Sequence, residues 1–266
     1  MTETAPPPDR SRRTRARLAA RTLRTDRWWV GPLLTALGLA AFVGYATVRV
    51  FQQDHYWVPE YHYLTPFYSP CLSASCAPGS AVFGTLPWVF PWFLPYALVS
   101  LPFLLLFRFT CYYYRKAYYR AFWQSPPACA VREPHAGYTG ESRLPLLGQN
   151  LHRYFFYVAV LISLVNTYDA AAALAHGVGL GGLILLANVV LLWCYTLSCH
   201  SCRHVIGGRL RSFRKHPLRY RLWTWVSALN SRHMLFAWIT LGTLVLTDMY
   251  VLLVSSGTIA DPRILH

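Results

Sequence analysis

Charged residues are scarce in this chain of 266 residues, where Asp, Glu, Lys and Arg together make up 13% of the sequence. A soluble domain usually carries about a quarter charged residues. This shortage, together with a hydrophobic share of 55%, argues against an ordinary soluble fold. Acidic residues are especially few, 10 against 25 Lys and Arg, which leaves a formal net charge of +15.

The apolar residues are concentrated in five blocks, and each block is long enough to cross a bilayer as a helix of about 20 residues. The blocks are too long and too evenly apolar for amphipathic surface helices. We therefore predict an all-α integral membrane protein with five transmembrane helices in a bundle. The predicted spans cover residues 28–50, 88–109, 152–174, 178–200 and 232–254. Prolines in the second block predict kinks there.

The basic residues are placed asymmetrically between the predicted spans. Eight arginines precede the first span, seven basic residues lie at or between the second and third, and eight lie between the fourth and fifth. Only Arg49 and Arg263 fall on the other side. This is the positive-inside pattern of a protein in the cytoplasmic membrane, with the N-terminus cytoplasmic and the C-terminus outside. It accounts for the positive charge without nucleic acid as a partner.

The topology divides the chain into a basic cytoplasmic tail, residues 1–27, and a transmembrane domain, residues 28–266. The domain has one outer loop, 51–87, and two cytoplasmic loops, 110–151 and 201–231. The outer loop contains Cys71 and Cys76. On the oxidising side such thiols tend to form a local disulfide, and a metal site with nearby histidines is the alternative. In the fifth span, Asp248 could take part in proton transfer, or its carboxylate could be hydrogen-bonded to a group on a neighbouring helix.

The stretch SCHSCRH, residues 198–204, has two cysteines and two histidines at the cytoplasmic end of the fourth span. In a continuous helix the cysteine pair and the histidine pair face different directions, because each residue advances by 100°. One small cluster would therefore take only some of them, with partners from a neighbouring helix end. The candidate metal ligands are Cys202, His204, Cys199, His200, Cys111 and Cys129.

These ligand types fit more than one centre. Zinc takes four N or S ligands in a tetrahedron and would act as a structural clip. A Rieske-type [2Fe–2S] cluster takes two Cys and two His, and Cys202-Arg203-His204 has the spacing of one half of a Rieske ligand pair. Haem b would use histidines from different helices, such as His152 with His200 or His233. The alternative is that all of these are polar residues at helix ends without a metal.

Several stretches, taken together, resemble those of a membrane-anchor subunit of a bacterial succinate dehydrogenase (cytochrome b-like, SdhC-type), from a divergent five-helix branch. The stretches are FTCYYYRKAYYRAFW, SPPACAV, QNLHRYFFY, SCHSCRHVIGG and NSRHMLFAW. The resemblance implies a respiratory subunit that holds a flavoprotein and an iron–sulfur protein on the membrane and passes their electrons to quinone. It is also compatible with a higher oligomer of the complex.

The sequence departs from the two-haem members of this family, because its first span contains no histidine. Some members of the divergent branch replace haem with a Rieske-like cluster, which the cysteines and histidines fit better. Suitable groups for a quinone site at the cytoplasmic ends of the third and fifth spans are His152, Arg153, Ser231, Arg232 and His233. The competing functions are a structural membrane protein with a zinc clip and a small transporter. A transporter would be expected to show internal repeats, and none is visible.

Overall fold

The computed structural model describes residues 26–86, 95–126, 128–129, 131 and 146–265. These residues form eight α-helices in chain order: α1 Val30–Gln52, α2 Leu101–Phe109, α3 Tyr112–Tyr118, α4 His152–Ala175, α5 Leu180–Leu197, α6 His200–Gly207, α7 Pro217–Asn230 and α8 His233–Ser255. The two-residue strands β1 Trp57–Val58, β2 Tyr63–Leu64 and β3 Val178–Gly179 and the strand β4 Arg263–Leu265 complete the elements. Short 3-10 or π turns cover Tyr96–Val99, Tyr119–Trp123, Leu146–Leu151 and Phe213–Lys215.

Four helices of the described residues are long and apolar enough to cross a membrane: α1, α4 with its preceding turn, α5 and α8. They correspond to four of the five predicted spans. The second predicted span, 88–109, falls partly outside the described residues, since 87–94 are not among them. Its remainder is broken into the turn at Tyr96–Val99 and the nine-residue α2. A five-span bundle is therefore not confirmed.

The fourth predicted span ends earlier than expected. Helix α5 stops at Leu197, and Cys199 has an extended backbone with φ −65° and ψ 144° before α6 begins at His200. SCHSCRH therefore lies across a break between two helices rather than on the last turns of one helix. Because the break redirects the chain, the angles expected for a continuous helix do not apply to these side chains.

One end of the bundle is closed by the loop that follows α1 and by the C-terminal segment. There β1 pairs antiparallel with β2, and β3 pairs antiparallel with β4. Cys71 and Cys76 form a disulfide with an S–S distance of 2.03 Å, as the outer loop predicts. We call this the loop end, and the opposite end, where α6 and α8 begin, the cluster end.

A buried ion pair joins α1 to α8 near the loop end. Arg49 Nε lies 2.6 Å from Asp248 Oδ2, and the two side chains are 2% and 0% exposed. Thr65 and Tyr45 also donate hydrogen bonds to the Asp248 carboxylate, each at 2.5 Å. Asp248 is thus satisfied by a neighbouring helix, which is the structural alternative that the sequence left open.

Candidate functional site

Four side chains from separate helix starts meet at the cluster end. Cys111 directly precedes α3, His152 is the first residue of α4, Cys199 directly precedes α6, and His233 is the first residue of α8. All four line a cavity of about 220 Å³. We call them the Cys–His cluster.

The four side chains of the cluster form two cysteine–histidine pairs. Cys111 Sγ lies 3.4 Å from His233 Nε2, and Cys199 Sγ lies 3.1 Å from His152 Nε2. Both cysteines and His233 are almost fully buried. The chemically active atoms, two thiol sulfurs and two imidazole Nε2 atoms, therefore face the same small space from four different chain segments.

A hydroxyl group sets the tautomer of each histidine. Thr110 Oγ1 donates its proton to the carbonyl of Leu106 at 2.7 Å, so it accepts from His152 Nδ1 at 2.8 Å. Ser198 Oγ likewise donates to the carbonyl of Tyr195 at 2.9 Å and accepts from His233 Nδ1 at 2.6 Å. With the proton on Nδ1, each Nε2 presents a lone pair to the cavity, which is the form of histidine that binds metals.

Aromatic side chains hold the two imidazole rings in place. The His152 ring stacks on Phe107 at 4.9 Å between centroids, with an interplanar angle of 4°. The His233 ring stacks on Tyr195 at 5.0 Å and 6°. A ring that is stacked on one face and hydrogen-bonded at Nδ1 has little rotational freedom, so both Nε2 atoms are preorganised.

Burial keeps the two cysteines protonated in the absence of a metal. It raises the pKa of the Cys199 thiol to about 12, although the amide of Ser201 donates to the sulfur at 3.4 Å. Burial also raises the pKa of Cys111. A metal that binds these sulfurs must displace their protons. His200 lines the same cavity. Partial burial is the larger cause that lowers the pKa of His200, and the positive charge of Arg203 lowers it further, so the neutral ring is favoured.

The structure brings together only part of the predicted metal-ligand set. Cys111, Cys199 and His200 line the cavity, whereas Cys202 is buried outside that lining. The side chains of His204 and Cys129 are exposed. Of the predicted quinone group, His152 and His233 lie in the cavity, beside the cysteines. The remaining members are exposed at the surface: Arg153, Ser231 and Arg232.

Sequence reasoning did not identify the hydroxyl groups behind the histidines. A local signal was present, since Thr110 directly precedes Cys111 and Ser198 directly precedes Cys199. It also missed Gln149, which lines the cavity. Its Nε2 donates to Tyr118 at 3.0 Å, while its buried Oε1 has no hydrogen-bond partner among the described residues.

The arrangement limits which groups it could hold. Within the part of the chain that the structure describes, no set of three or more His, Cys, Asp or Glu side chains is grouped closely enough for one metal ion. A cavity of about 220 Å³ is also smaller than the roughly 300–1,000 Å³ of most ligand pockets. Two sulfur and two imidazole donors from separate segments are the donor set of a Rieske-type two-iron cluster.

The comparisons with known proteins cover nearly the whole chain. Residues 30–257 match the family described as actinobacterial succinate dehydrogenase subunit SdhC. Among solved structures, a chain of the Mycobacterium smegmatis Sdh1 complex in the apo form is 69% identical, with a TM-score of 0.88 over 93% of this chain and 96% of that chain. No curated protein matches the chain significantly. All four residues of the Cys–His cluster lie within the matched range.

Proposed function

Because the chain belongs to the actinobacterial SdhC family of succinate dehydrogenase membrane subunits, we propose that it passes electrons from succinate to quinone through a Rieske-type [2Fe–2S] cluster. It is a multi-pass protein of the cytoplasmic membrane that anchors the flavoprotein and iron–sulfur subunits of the complex. The convergence of Cys111, His152, Cys199 and His233 on one cavity supports the proposal. A cluster bound there would accept and release single electrons.

The protein's own residues would hold such a group with the donor atoms that already face the cavity. The sulfurs of Cys111 and Cys199 and the Nε2 atoms of His152 and His233 are the proposed ligands. Cys202 and His204, which the sequence placed first, are outside the cavity and are not part of this ligand set. The hydroxyls at Nδ1 keep each histidine in its binding tautomer, and the stacked rings of Phe107 and Tyr195 hold the two imidazoles in place.

We further propose that the cluster end faces the cytoplasm, where the iron–sulfur subunit docks. Lys and Arg side chains are concentrated on the segments at this end, at 108–120 and 203–232. The loop end, with its disulfide, would then face the oxidising side. Electrons would reach the cavity from the docked subunit without crossing the membrane.

The quinone would bind at the cytoplasmic edge of the same cavity. The lining residues Tyr112, Tyr113 and Arg115 offer donors for carbonyl oxygens. Gln149 Oε1, which has no hydrogen-bond partner among the described residues, could accept a hydrogen bond from a hydroxyl of the reduced quinone. The exposed Arg153, Ser231 and Arg232 stay predictions for this site. His152 and His233, which the sequence pattern assigned to quinone binding, are proposed instead as ligands of the [2Fe–2S] cluster.

The direct test is to purify the whole complex and examine it after reduction with succinate. We expect the flavoprotein to co-purify and the membrane subunit to add an electron paramagnetic resonance signal with the average g value of a Rieske centre. Electrons should pass to a short-chain quinone analogue. Stoichiometric zinc without such a signal, or a haem absorption band, would contradict the proposal.

Replacing Ser198 by alanine is expected to weaken binding of the [2Fe–2S] cluster by about 10–100-fold, which is the usual effect of removing a group that orients a metal ligand. The variant loses the acceptor of His233 Nδ1. Iron retained per complex against a chelator, together with the g values, provides the measurement. Ser227→Ala, which removes only a hydrogen bond within its own helix, is the matched control. Equal iron retention and g values in both variants would refute the assigned role of Ser198.

A further inference from the structure

Helix α1 has fully buried side chains only along its loop-end half, although it also contacts α3 and the turn Tyr119–Trp123. Its buried residues are Phe42, Ala46, Arg49 and Val50, and none of residues 30–41 is buried. The Arg49–Asp248 ion pair fixes α1 to α8 near the loop end. Toward the cluster end the two helices stand apart, which leaves an opening between them.

Two cavities occupy this opening. The one nearer the cluster end has a volume of about 370 Å³, and the deeper one about 570 Å³. The helix residues that line them lie three, four or seven positions apart, so each helix contributes one continuous stripe. The stripes run through Gly31, Thr35, Gly38 and Tyr45 on α1 and Met234, Trp238, Leu241 and Val245 on α8. We call this space the α1/α8 cleft.

The length of the cleft matches one leaflet of a bilayer. From Gly31 to Tyr45 the helix rises about 21 Å at 1.5 Å per residue. Half of a bilayer, with its headgroup region, measures about 20–22 Å. The cleft therefore begins at the cluster end and extends about one leaflet deep, as far as Tyr45, which donates a hydrogen bond to Asp248.

The mouth of the cleft is positively charged. Lys116 of α3 and Arg120 of the following turn line it beside Tyr113. Neither cavity is lined by a described Asp or Glu, and no carboxylate of the described residues lies within 4.0 Å of either cation. The arginine-rich segment before α1 directly precedes this mouth in sequence. A neutral quinone could use the apolar walls, but it would gain little from two cations.

We propose that the α1/α8 cleft binds one anionic phospholipid of the leaflet at the cluster end. Its phosphate is bound by Lys116 and Arg120, and its acyl chains fill the gap between α1 and α8. Basic pockets between transmembrane helices on the cytoplasmic side commonly bind such headgroups. The lipid also covers the face that the cluster-end half of α1 presents toward α8. This proposal goes beyond electron transfer and is independent of the ligands of the Cys–His cluster.

The headgroup is tested with the intact complex reconstituted in vesicles of equal parts phosphatidylglycerol and phosphatidylcholine. After extraction into a neutral detergent, native mass spectrometry counts the phospholipids that remain bound. The native complex should retain one phosphatidylglycerol per chain, and Lys116→Gln/Arg120→Gln should reduce this retention about thirtyfold. The control Arg211→Gln/Lys215→Gln, which removes two exposed cations outside the cleft, should retain the lipid.

The proposed binding of the acyl chains is tested by placing a larger side chain in the cleft. A side chain at Gly242 would meet open space, so Gly242→Leu should displace the lipid without disturbing the fold. Gly44→Leu, at an exposed position that lines neither cavity, is the control.

Four results would overturn the proposal: equal phosphatidylglycerol retention in all variants, equal retention of phosphatidylcholine, a quinone in place of the phospholipid, or displacement of the lipid by inorganic phosphate alone. Loss of quinone reduction with unchanged lipid retention would instead count against the proposed electron-transfer function.

Discussion

Replacing Cys199 by serine is expected to abolish the Rieske-type signal of the complex and to lower succinate-to-quinone electron transfer by at least about 100-fold. The sulfur of Cys199 is one of four proposed ligands, and serine offers a much poorer ligand to iron, which prefers thiolate. Electron transfer from succinate to a soluble artificial acceptor should continue, because the flavoprotein and its partner iron–sulfur subunit are unchanged. The paired assays therefore locate the defect in the membrane subunit.

Cys202→Ser is the matched control for this variant. Cys202 is a buried cysteine three residues further on, in the same helix start, but it does not line the cavity. Its replacement should preserve both the signal and quinone reduction. The opposite pattern would be loss of the signal in Cys202→Ser and not in Cys199→Ser. That result would support the ligands predicted from the Cys202-Arg203-His204 spacing and would refute Cys199 as a ligand.

Asp248→Leu is expected to destabilise the folded protein by about 3–5 kcal/mol, because it leaves a buried charge without its partner. Arg49 is 2% exposed, and Asp248 accepts from its guanidinium and also from Thr65 and Tyr45. The measurement is the free energy of unfolding in mixed micelles as a denaturing detergent is added. The double variant Arg49→Met/Asp248→Leu should recover a large part of the loss, since it removes both charges.

Asp54→Asn is the control for the ion-pair experiment. Asp54 lies close to Arg49 in sequence, but its side chain is 69% exposed. Its replacement should change the free energy of unfolding by no more than about 0.5 kcal/mol. If Asp248→Leu were equally mild, the ion pair would not be what joins α1 to α8, and the closed end of the α1/α8 cleft would need another explanation.

Several features were predictable because they depend on neighbouring residues or on average composition. Apolar runs of bilayer length predicted four of the helices, since any such run must satisfy its backbone hydrogen bonds within itself in lipid. The disulfide was predictable because Cys71 and Cys76 are close in the chain and the distribution of basic residues predicts that they lie on the oxidising side. The resemblance to the succinate dehydrogenase anchors was also carried by short stretches, and the family match confirms it.

The geometry of the site was not predictable in the same way. The angles for SCHSCRH assumed one helix, but an extended residue at Cys199 starts a new one. Nothing in the residue types of that stretch marks the break. Once the helix is broken, Cys199 turns toward His152 while Cys202 and His204 stay outside the cavity. The pattern of residue types therefore predicted where metal-ligand types of side chain are concentrated, but not which of them share a cavity.

Composition and the spacing of charged residues are enough to place the chain in a membrane, to show which segments carry the positive charge and to identify which kinds of ligand are near them. These properties are sums over local segments. The folded arrangement of the helices was needed to show that Cys111, His152, Cys199 and His233 share one cavity, and that Arg49 pairs with Asp248 across 199 residues of sequence. Such contacts depend on how separate helices cross and where each begins, and no local pattern contains that information.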